Sequence, residues 1–286
     1  MAETTATVKP TTSVQAKKSS NIISLIAPVL CLLAGYFIWR LVLGNPANFG
    51  VPNVPGDEGW FWPGRHDPKS ALSKMYLGGI IVPVLIGTFL TMLTFVIERF
   101  MTIAKANGTG NNADFIRKVQ YQLANKNVDA ALAECDKQKG SVGNVMKAGL
   151  HRYKEMISNS ELTTDQKVMA IQKEVEEATS LELPMLEKNL VFLSTIASLA
   201  TLIGLLGTVV GMIRAFAALA RAGAPDAIQL SIGISEALIN TALGLLAAII
   251  GIVAYNFFVT KVDNFVYMID EASYNVVQIL NTRSGE

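Results

Sequence analysis

The residue best suited to chemistry is a single carboxylate inside an apolar segment. Glu236 is the only charged residue between Ile228 and Phe258, and Asn240 and Thr241 follow it closely. A carboxylate within a membrane span costs about 2.5–3.5 kcal/mol even on the more lenient insertion scale. Glu236 is therefore predicted to be either a protonated hydrogen-bonding group or part of a proton or ion path, and we favour the path. No Lys, Arg or His lies in the central part of any apolar segment, so we expect a partner chain or water in a lumen to neutralise it.

Other chemistries find little support in the sequence. His66 and His151 lie outside the apolar segments, and no Asp–Asp or Glu-x-x-His set provides paired acid–base groups there. Cys31 and Cys135 are too far apart for a zinc motif or a disulfide framework. We therefore expect no enzymatic activity, no metal and no cofactor.

The composition indicates a membrane protein. Of the 286 residues, 51% are hydrophobic and only 16% are charged, whereas soluble domains have about 25% charged residues. The formal net charge of +1 provides no basic surface for nucleic acid. Soluble enzymes, DNA-binding proteins and secreted disulfide scaffolds are excluded as classes.

Four apolar segments are long enough to cross the hydrocarbon core, which is about 30 Å thick. They are Ile22–Leu43, Leu77–Ile97, Leu190–Ile213 and Ile228–Phe258. The first could instead be a signal peptide, because Lys17 and Lys18 precede it, but it is longer than usual and lacks a clear cleavage site. The predicted class is an all-α polytopic membrane protein with a cytoplasmic helical domain, because no alternating strand pattern occurs.

The distribution of Lys and Arg sets the predicted orientation. These residues are concentrated in the long Glu98–Asn189 segment, and an even number of spans places both termini on its side, the cytoplasm. The predicted order is a disordered cytoplasmic tail (1–21), a transmembrane helix (22–43), a periplasmic loop (44–75), a transmembrane helix (76–98), a cytoplasmic helical domain (99–188), a transmembrane helix (189–215), a periplasmic connection (216–230), a transmembrane helix (231–258) and a cytoplasmic helical tail (259–286).

The cytoplasmic segment has helical periodicity. Apolar residues recur at helical spacing in Val128–Lys137 and in Val142–Met156. Thr163 and Gln166 have the spacing of a capping box, and the helix that they begin is predicted to continue into the third span.

Small and polar residues form one stripe on each of the last two spans, at steps of three and four. Small residues favour close helix packing in membranes. Packing within one chain explains the stripes, and so does an arrangement of several copies around a polar lumen. The predicted packing residues are Thr201, Gly204, Gly211, Gly233, Gly244 and Gly251, and the predicted channel-lining residues are Thr208, Glu236, Asn240 and Thr241.

The same two spans resemble the ExbB/TolQ proton-channel family, relatives of the flagellar stator protein MotA. The segments concerned are GLLGTVVGMIRAF at 204–216 and IGISEALINTALGLLAAIIGIVAYNFF at 232–258, and AECDKQKGSVGNVMKAGLHR at 133–152 is similar to the family's cytoplasmic segment. The similarity is greatest to ExbB-like subunits of the TonB energising system.

The resemblance implies a homopentamer in the bacterial inner membrane. Its central channel would enclose the transmembrane helices of an ExbD/TolR-like single-span partner, whose membrane aspartate carries the proton, and a TonB-like protein would deliver the work to outer-membrane receptors. Thr208, Glu236 and Thr241 match the threonines and glutamate of the family motifs. Beyond membrane lipid and these proteins no partner is implied.

Three departures from the family pattern occur. Thr201 and Ile250 occupy positions where the family often has proline, and Val210 replaces a common tryptophan. The first span is additional to the usual three and is expected to pack peripherally. The alternatives to an ExbB-like subunit are a TolQ-like envelope or MotA-like motility motor, and a non-conducting scaffold in which Glu236 is a protonated hydrogen-bonding group.

Overall fold

A computed structural model describes residues 22–51, 66–159, 161–220 and 227–284 of the chain, so the predicted disordered tail lies outside the described residues. The fold is all-α, as predicted, and four helical segments of the described residues are long and apolar enough to cross a membrane. The α-helices are α1 (Ile22–Ile38), α2 (Ala71–Leu77), α3 (Ile81–Ala106), α4 (Asn112–Ala124), α5 (Val128–Gln138), α6 (Ser141–Ser158), α7 (Thr164–Glu187), α8 (Leu190–Leu219) and α9 (Ala227–Ser284).

A short β-ribbon lies in the predicted periplasmic loop, where we expected no strand. β1 (Phe49–Val51) pairs antiparallel with β2 (His66–Pro68). Three residues are too few to show a recognisable alternation of apolar and polar side chains. The ribbon is a small addition to the all-α class.

Aromatic packing fixes the end of the first span against α2. α1 continues as a π-helical turn, Trp39–Leu43. The Trp39 ring stacks on Tyr76 with 4.5 Å between centroids, and its Nε1 donates a hydrogen bond to the Tyr76 carbonyl at 3.2 Å. Phe49 of the ribbon meets the same tyrosine edge-on at 5.6 Å. The loop is thereby anchored to the start of the second span.

The second span begins with a break that the sequence analysis did not predict. α2 ends at Leu77, and α3 starts only at Ile81. Between them Gly79 has a φ of +77°, a conformation that suits glycine because it has no Cβ. α3 also continues past the predicted end at 98 as far as Ala106, because its last turns still bury apolar side chains such as Ile103.

The additional first span packs on α3 through glycine, on the outside of the bundle as expected. A Cβ on Gly35 would lie 2.6 Å from the Gly87 nitrogen, and one on Gly87 would lie 2.7 Å from the Leu32 Cα. Such close backbone approach is the usual reason for small residues between membrane helices. Only 17% of the most apolar window of this span is buried, against 50% in α3.

The predicted cytoplasmic segment folds as helices α4 to α7 around a common apolar core. The two predicted helices correspond to α5 and α6. The predicted capping box is also present, since the Thr163 hydroxyl accepts from the Gln166 backbone N–H and the Gln166 side chain accepts from the Thr163 N–H.

The fourth span and the predicted C-terminal tail are one helix. α9 has 58 residues, which corresponds to about 87 Å at 1.5 Å per residue. No helix end occurs at the predicted boundary of 258 and 259. The reason is a buried apolar face that continues into the core shared with α4 to α7, formed by Phe258, Val262, Phe265, Ile269, Ala272 and Val276.

The third span, in contrast, is separated from the preceding helix, which we expected to continue into it. α7 ends at Glu187, Asn189 has a φ of +65°, and α8 begins at Leu190. The last carbonyl groups of a helix have no partner within it. Here the buried Arg99 of α3 donates to the carbonyls of Met185 and Leu186 at 3.3 and 3.2 Å and so caps α7.

The packing of the first span predicts a disulfide. Cys31 Sγ lies 3.6 Å from the Thr94 hydroxyl, so a Thr94→Cys variant should form an intrachain disulfide with Cys31 under mild oxidation. Mass spectrometry of peptides from the oxidised protein measures it. In the control Leu93→Cys the new thiol replaces a side chain that packs against the large core instead, and it should stay reduced. Equal oxidation of both variants would contradict this arrangement of α1.

The buried cysteine of α5 predicts slow thiol chemistry. Burial raises the pKa of the Cys135 thiol to about 12, and only the thiolate reacts. In a Cys31→Ser background, N-ethylmaleimide at pH 8 should leave Cys135 unlabelled in the native protein and label it after denaturation. The exposed control Ser158→Cys, in a Cys31→Ser/Cys135→Ser background, should react in the native state. Native Cys135 that reacts as fast as this control would overturn the prediction.

Candidate functional site

The last two spans pack closely through small residues. α8 and α9 run antiparallel, and a Cβ on Gly204 would lie 3.1 Å from the Gly244 Cα, while one on Gly211 would lie 2.8 Å from the Ala237 nitrogen. Further along the same contact, Gly233 meets Ala215. These approaches leave no room for larger side chains and fix which residues of the two helices lie at the same level.

Two further residues of the predicted stripe are placed differently. Gly251 lies against Ala197 at the end of the contact nearest the start of α8, where a Cβ on Gly251 would lie 2.9 Å from the Ala197 Cβ. Thr201, in contrast, lies outside the contact, where its exposed side chain donates to the Ala197 carbonyl at 3.2 Å. Ala200 and Gly207 occupy the interface instead. Steps of three and four residues occur on each face of a helix. The spacing alone therefore did not distinguish residues inside the contact from residues outside it.

Glu236 is neutralised by a residue of its own chain. Its Oε1 accepts a hydrogen bond from Nη1 of Arg214 at 2.6 Å. Glu236 is 4% exposed, whereas the Arg214 side chain is 45% exposed. The expectation that a partner chain or lumen water must supply the compensating charge is therefore wrong. The register of α8 and α9 brings the two residues together. The sequence analysis did not predict the pair because it did not establish that register.

The ion pair lies towards the end of the bundle where α8 stops and α9 starts. Glu236 follows Ala227, the first residue of α9, by nine residues, which is about 14 Å along the helix. The apolar run that contains it is longer than the hydrocarbon core, so part of this distance lies outside the core. Arginine is tolerated at such a depth because its long side chain reaches the interface.

The glycine turn between α2 and α3 covers the carboxylate and its neighbour Asn240. A Cβ on Gly79 would collide with the Glu236 carboxylate. The fully buried Asn240 donates from Nδ2 to the Gly78 carbonyl at 3.0 Å. Its Oδ1 is buried and has no hydrogen-bond partner among the described residues. The sequence analysis assigned no role to either glycine.

Thr208 and Thr241 lie on the opposite flank of the helix pair. Successive residues of an α-helix turn by about 100°, so Thr241 is about 140° from Glu236 and Thr208 is about 120° from Arg214. Both threonines are half-buried, and their hydroxyls donate to their own helices, to Leu205 at 2.6 Å and to Ala237 at 3.2 Å. The structure thus brings Glu236 and Asn240 together and separates them from the threonines. We call the side with Thr201, Thr208 and Thr241 the threonine flank.

Next to the ion pair lies a cavity of about 330 Å³. Its lining combines the two charged side chains with one amide and several apolar residues: Leu77, Arg214, Ala217, Ala218, Gln229, Ile232, Gly233 and Glu236. No group of three or more His, Cys, Asp or Glu residues that could hold a metal ion occurs in the described part of the chain. The arrangement offers a titratable carboxylate beside a partly polar space.

The segment that builds this site is similar to known proteins. A model of the MotA/TolQ/ExbB proton channel family matches residues 137–271, which include all of α6, α7 and α8 and much of α9. The Tol-Pal system protein TolQ of Pseudomonas aeruginosa is 29% identical over 117 residues, which are 41% of this chain and 51% of TolQ. The chain thus spans about half the length of this relative. The resemblance of the last two spans is confirmed: residues 137–271 match the model of the MotA/TolQ/ExbB proton channel family.

Proposed function

We propose that the chain is the ExbB-like subunit of an inner-membrane motor that couples the proton gradient to TonB-dependent transport across the outer membrane, together with an ExbD-like partner. The observation that carries the proposal is the buried Glu236 carboxylate on the helix pair that bears the family sequence. The family and the four spans make the chain a proton-channel type of subunit and a multi-pass membrane protein. In this role the chain acts without an enzymatic reaction or cofactor of its own.

An oligomer is part of the proposal. The turn between α2 and α3 packs against the Glu236 side of the α8–α9 pair through Gly78 and Gly79, whereas the threonine flank is left uncovered. Exposed apolar residues such as Leu205 and Leu238 accompany it. One helix pair cannot enclose a lumen, so we propose a pentamer with the threonine flanks turned to the axis. The single-span helices of the partner would occupy that axis, and both termini would be cytoplasmic.

The identity of the coupled process has a second candidate. The relative found by comparison is a Tol-Pal system protein, which favours a TolQ-like role in the cell envelope over a MotA-like role in motility. The same site serves either role. A deletion strain distinguishes them, since loss of iron-chelate or cobalamin uptake indicates the TonB system and sensitivity to detergents indicates an envelope role.

Removal of the carboxylate tests conduction. Glu236→Gln keeps the hydrogen-bonding ability and loses the titratable proton, so proton flux into liposomes that contain the chain and its partner should fall about 100-fold. The surface variant Glu177→Gln serves as the control and should conduct normally. Background flux in both the unmodified complex and Glu236→Gln would support the non-conducting scaffold, because that role needs only a hydrogen bond. Equal flux above background would show that Glu236 is not part of the path.

The threonine flank is tested separately. Thr208→Val should impair energised uptake in cells without a second copy of the gene, because the hydroxyl is lost from the proposed lumen while the chain still inserts. Thr195→Val removes an exposed hydroxyl that also bonds only to its own helix, at 2.8 Å to Val191, and should leave uptake intact. If both variants take up iron chelate normally, the threonine flank does not line the path.

The ion pair predicts unequal effects on stability. Arg214→Gln leaves a buried carboxylate without its cation, whereas Glu236→Gln leaves a half-exposed arginine. Arg214→Gln should therefore lower the unfolding free energy by about 1–3 kcal/mol more than Glu236→Gln does. The double variant should recover most of the loss. Unfolding in detergent micelles measures all three, and equal losses in the single variants would contradict the pairing.

A further inference from the structure

The route by which protons reach Glu236 follows from what surrounds the carboxylate. At the level of Glu236 the α8–α9 contact is closed. A Cβ on Gly211 would lie 2.8 Å from the Ala237 nitrogen, and a Cβ on Gly233 would lie 2.8 Å from the Ala215 nitrogen. The threonine flank is on the far side of this contact. A proton on that flank therefore has no passage between the two helices at this level.

The cavity of about 330 Å³ lies on the side that the carboxylate does face. At about 30 Å³ per molecule, a space of this size holds on the order of ten waters. Its polar groups run from the half-exposed Arg214 and the half-buried Gln229 to the buried Glu236. The lining is thus most accessible at the outer end and carries its titratable group at the inner end.

A second buried acceptor extends this polar side further along α9. Asn240 lies one turn beyond Glu236 on the same side of the helix, and its Oδ1 has no partner among the described residues. An unsatisfied buried acceptor costs about 1–3 kcal/mol. A water molecule that donates to this oxygen removes that cost and places a further proton-conducting group below the carboxylate.

We infer that protons reach Glu236 through the cavity inside each protomer, between α2 and the α8–α9 pair, and not from the axis shared by the copies. The inference rests on the proposed proton-channel function and adds the route. Because the contact within one copy is closed, the proton leaves Glu236 for the axis between neighbouring copies. Arg214 is then a positioning residue: its guanidinium holds the carboxylate at the inner end of the cavity. Each copy of the chain has an access route of its own.

Thiol accessibility tests the route in the full chain, coexpressed with its partner in isolated membranes. Ile232→Cys lies in the cavity lining, in a Cys31→Ala/Cys135→Ala background. Phe216→Cys is the matched control, because Phe216 lies at a similar level on α8, is 60% exposed and is not part of the lining. A charged, membrane-impermeant methanethiosulfonate should modify Ile232→Cys about tenfold faster, since only a hydrated thiol ionises and reacts.

Filling the cavity provides a second test of the route. Ala217→Leu places a larger side chain in the lining and should slow the modification of Ile232→Cys about tenfold. Ala220→Leu, at the end of α8 and outside the lining, should not. An unreactive Ile232→Cys, a Phe216→Cys that reacts as fast or faster, or a rate unaffected by Ala217→Leu would each overturn the route. If Ile232→Cys does not insert, Leu77→Cys at the α2 side of the cavity replaces it.

The proposed function is measured separately on the same membranes. The labelling rate depends only on water in the cavity, whereas proton flux depends on the whole motor. Normal flux with an unreactive Ile232→Cys would refute the route and leave the proposed function standing. Fast labelling with no proton flux in the unmodified complex would refute the proposed function.

Discussion

The close contact between α8 and α9 is the constraint on which the rest of the site depends. Small residues at Gly204, Gly211, Gly233 and Gly244 let the two backbones approach and so fix their register. This register sets Arg214 beside Glu236 and turns the threonines to the other flank. It also closes the space between the two helices. A larger residue in the contact would therefore disturb the charge pair, the cavity and the flank together.

Several charged and polar groups at the two ends of the bundle have partners within the chain. At one end Arg214 pairs with Glu236, and the glycine turn at Gly78 accepts from Asn240. At the other end Arg99 caps α7 and pairs with Glu98. Such pairing offsets the cost of placing ionised groups at the edge of a membrane. The middle of the bundle is left to apolar and small residues.

The sequence predicted what local patterns determine, and it missed what depends on register. The four spans, helices α5 and α6 and the capping box at Thr163 follow from apolar periodicity and from residue spacing. The pairing of Arg214 with Glu236 joins positions on two helices, and their relative height is set by packing that no single segment reveals. The break at Gly79 and the unbroken passage through Phe258 were missed for a related reason. Each depends on which side chains the neighbouring helices bury at that point.

The unbroken length of α9 has a mechanical consequence. The helix passes from the ion pair through the membrane to Ser284 without an interruption, so it acts as a stiff lever whose two arms move together. The part of α9 beyond Phe258 is about 39 Å long, and a tilt of about 5° at the membrane displaces its far end by about 3 Å. A small reorientation beside Glu236 is thereby magnified at the far end of α9.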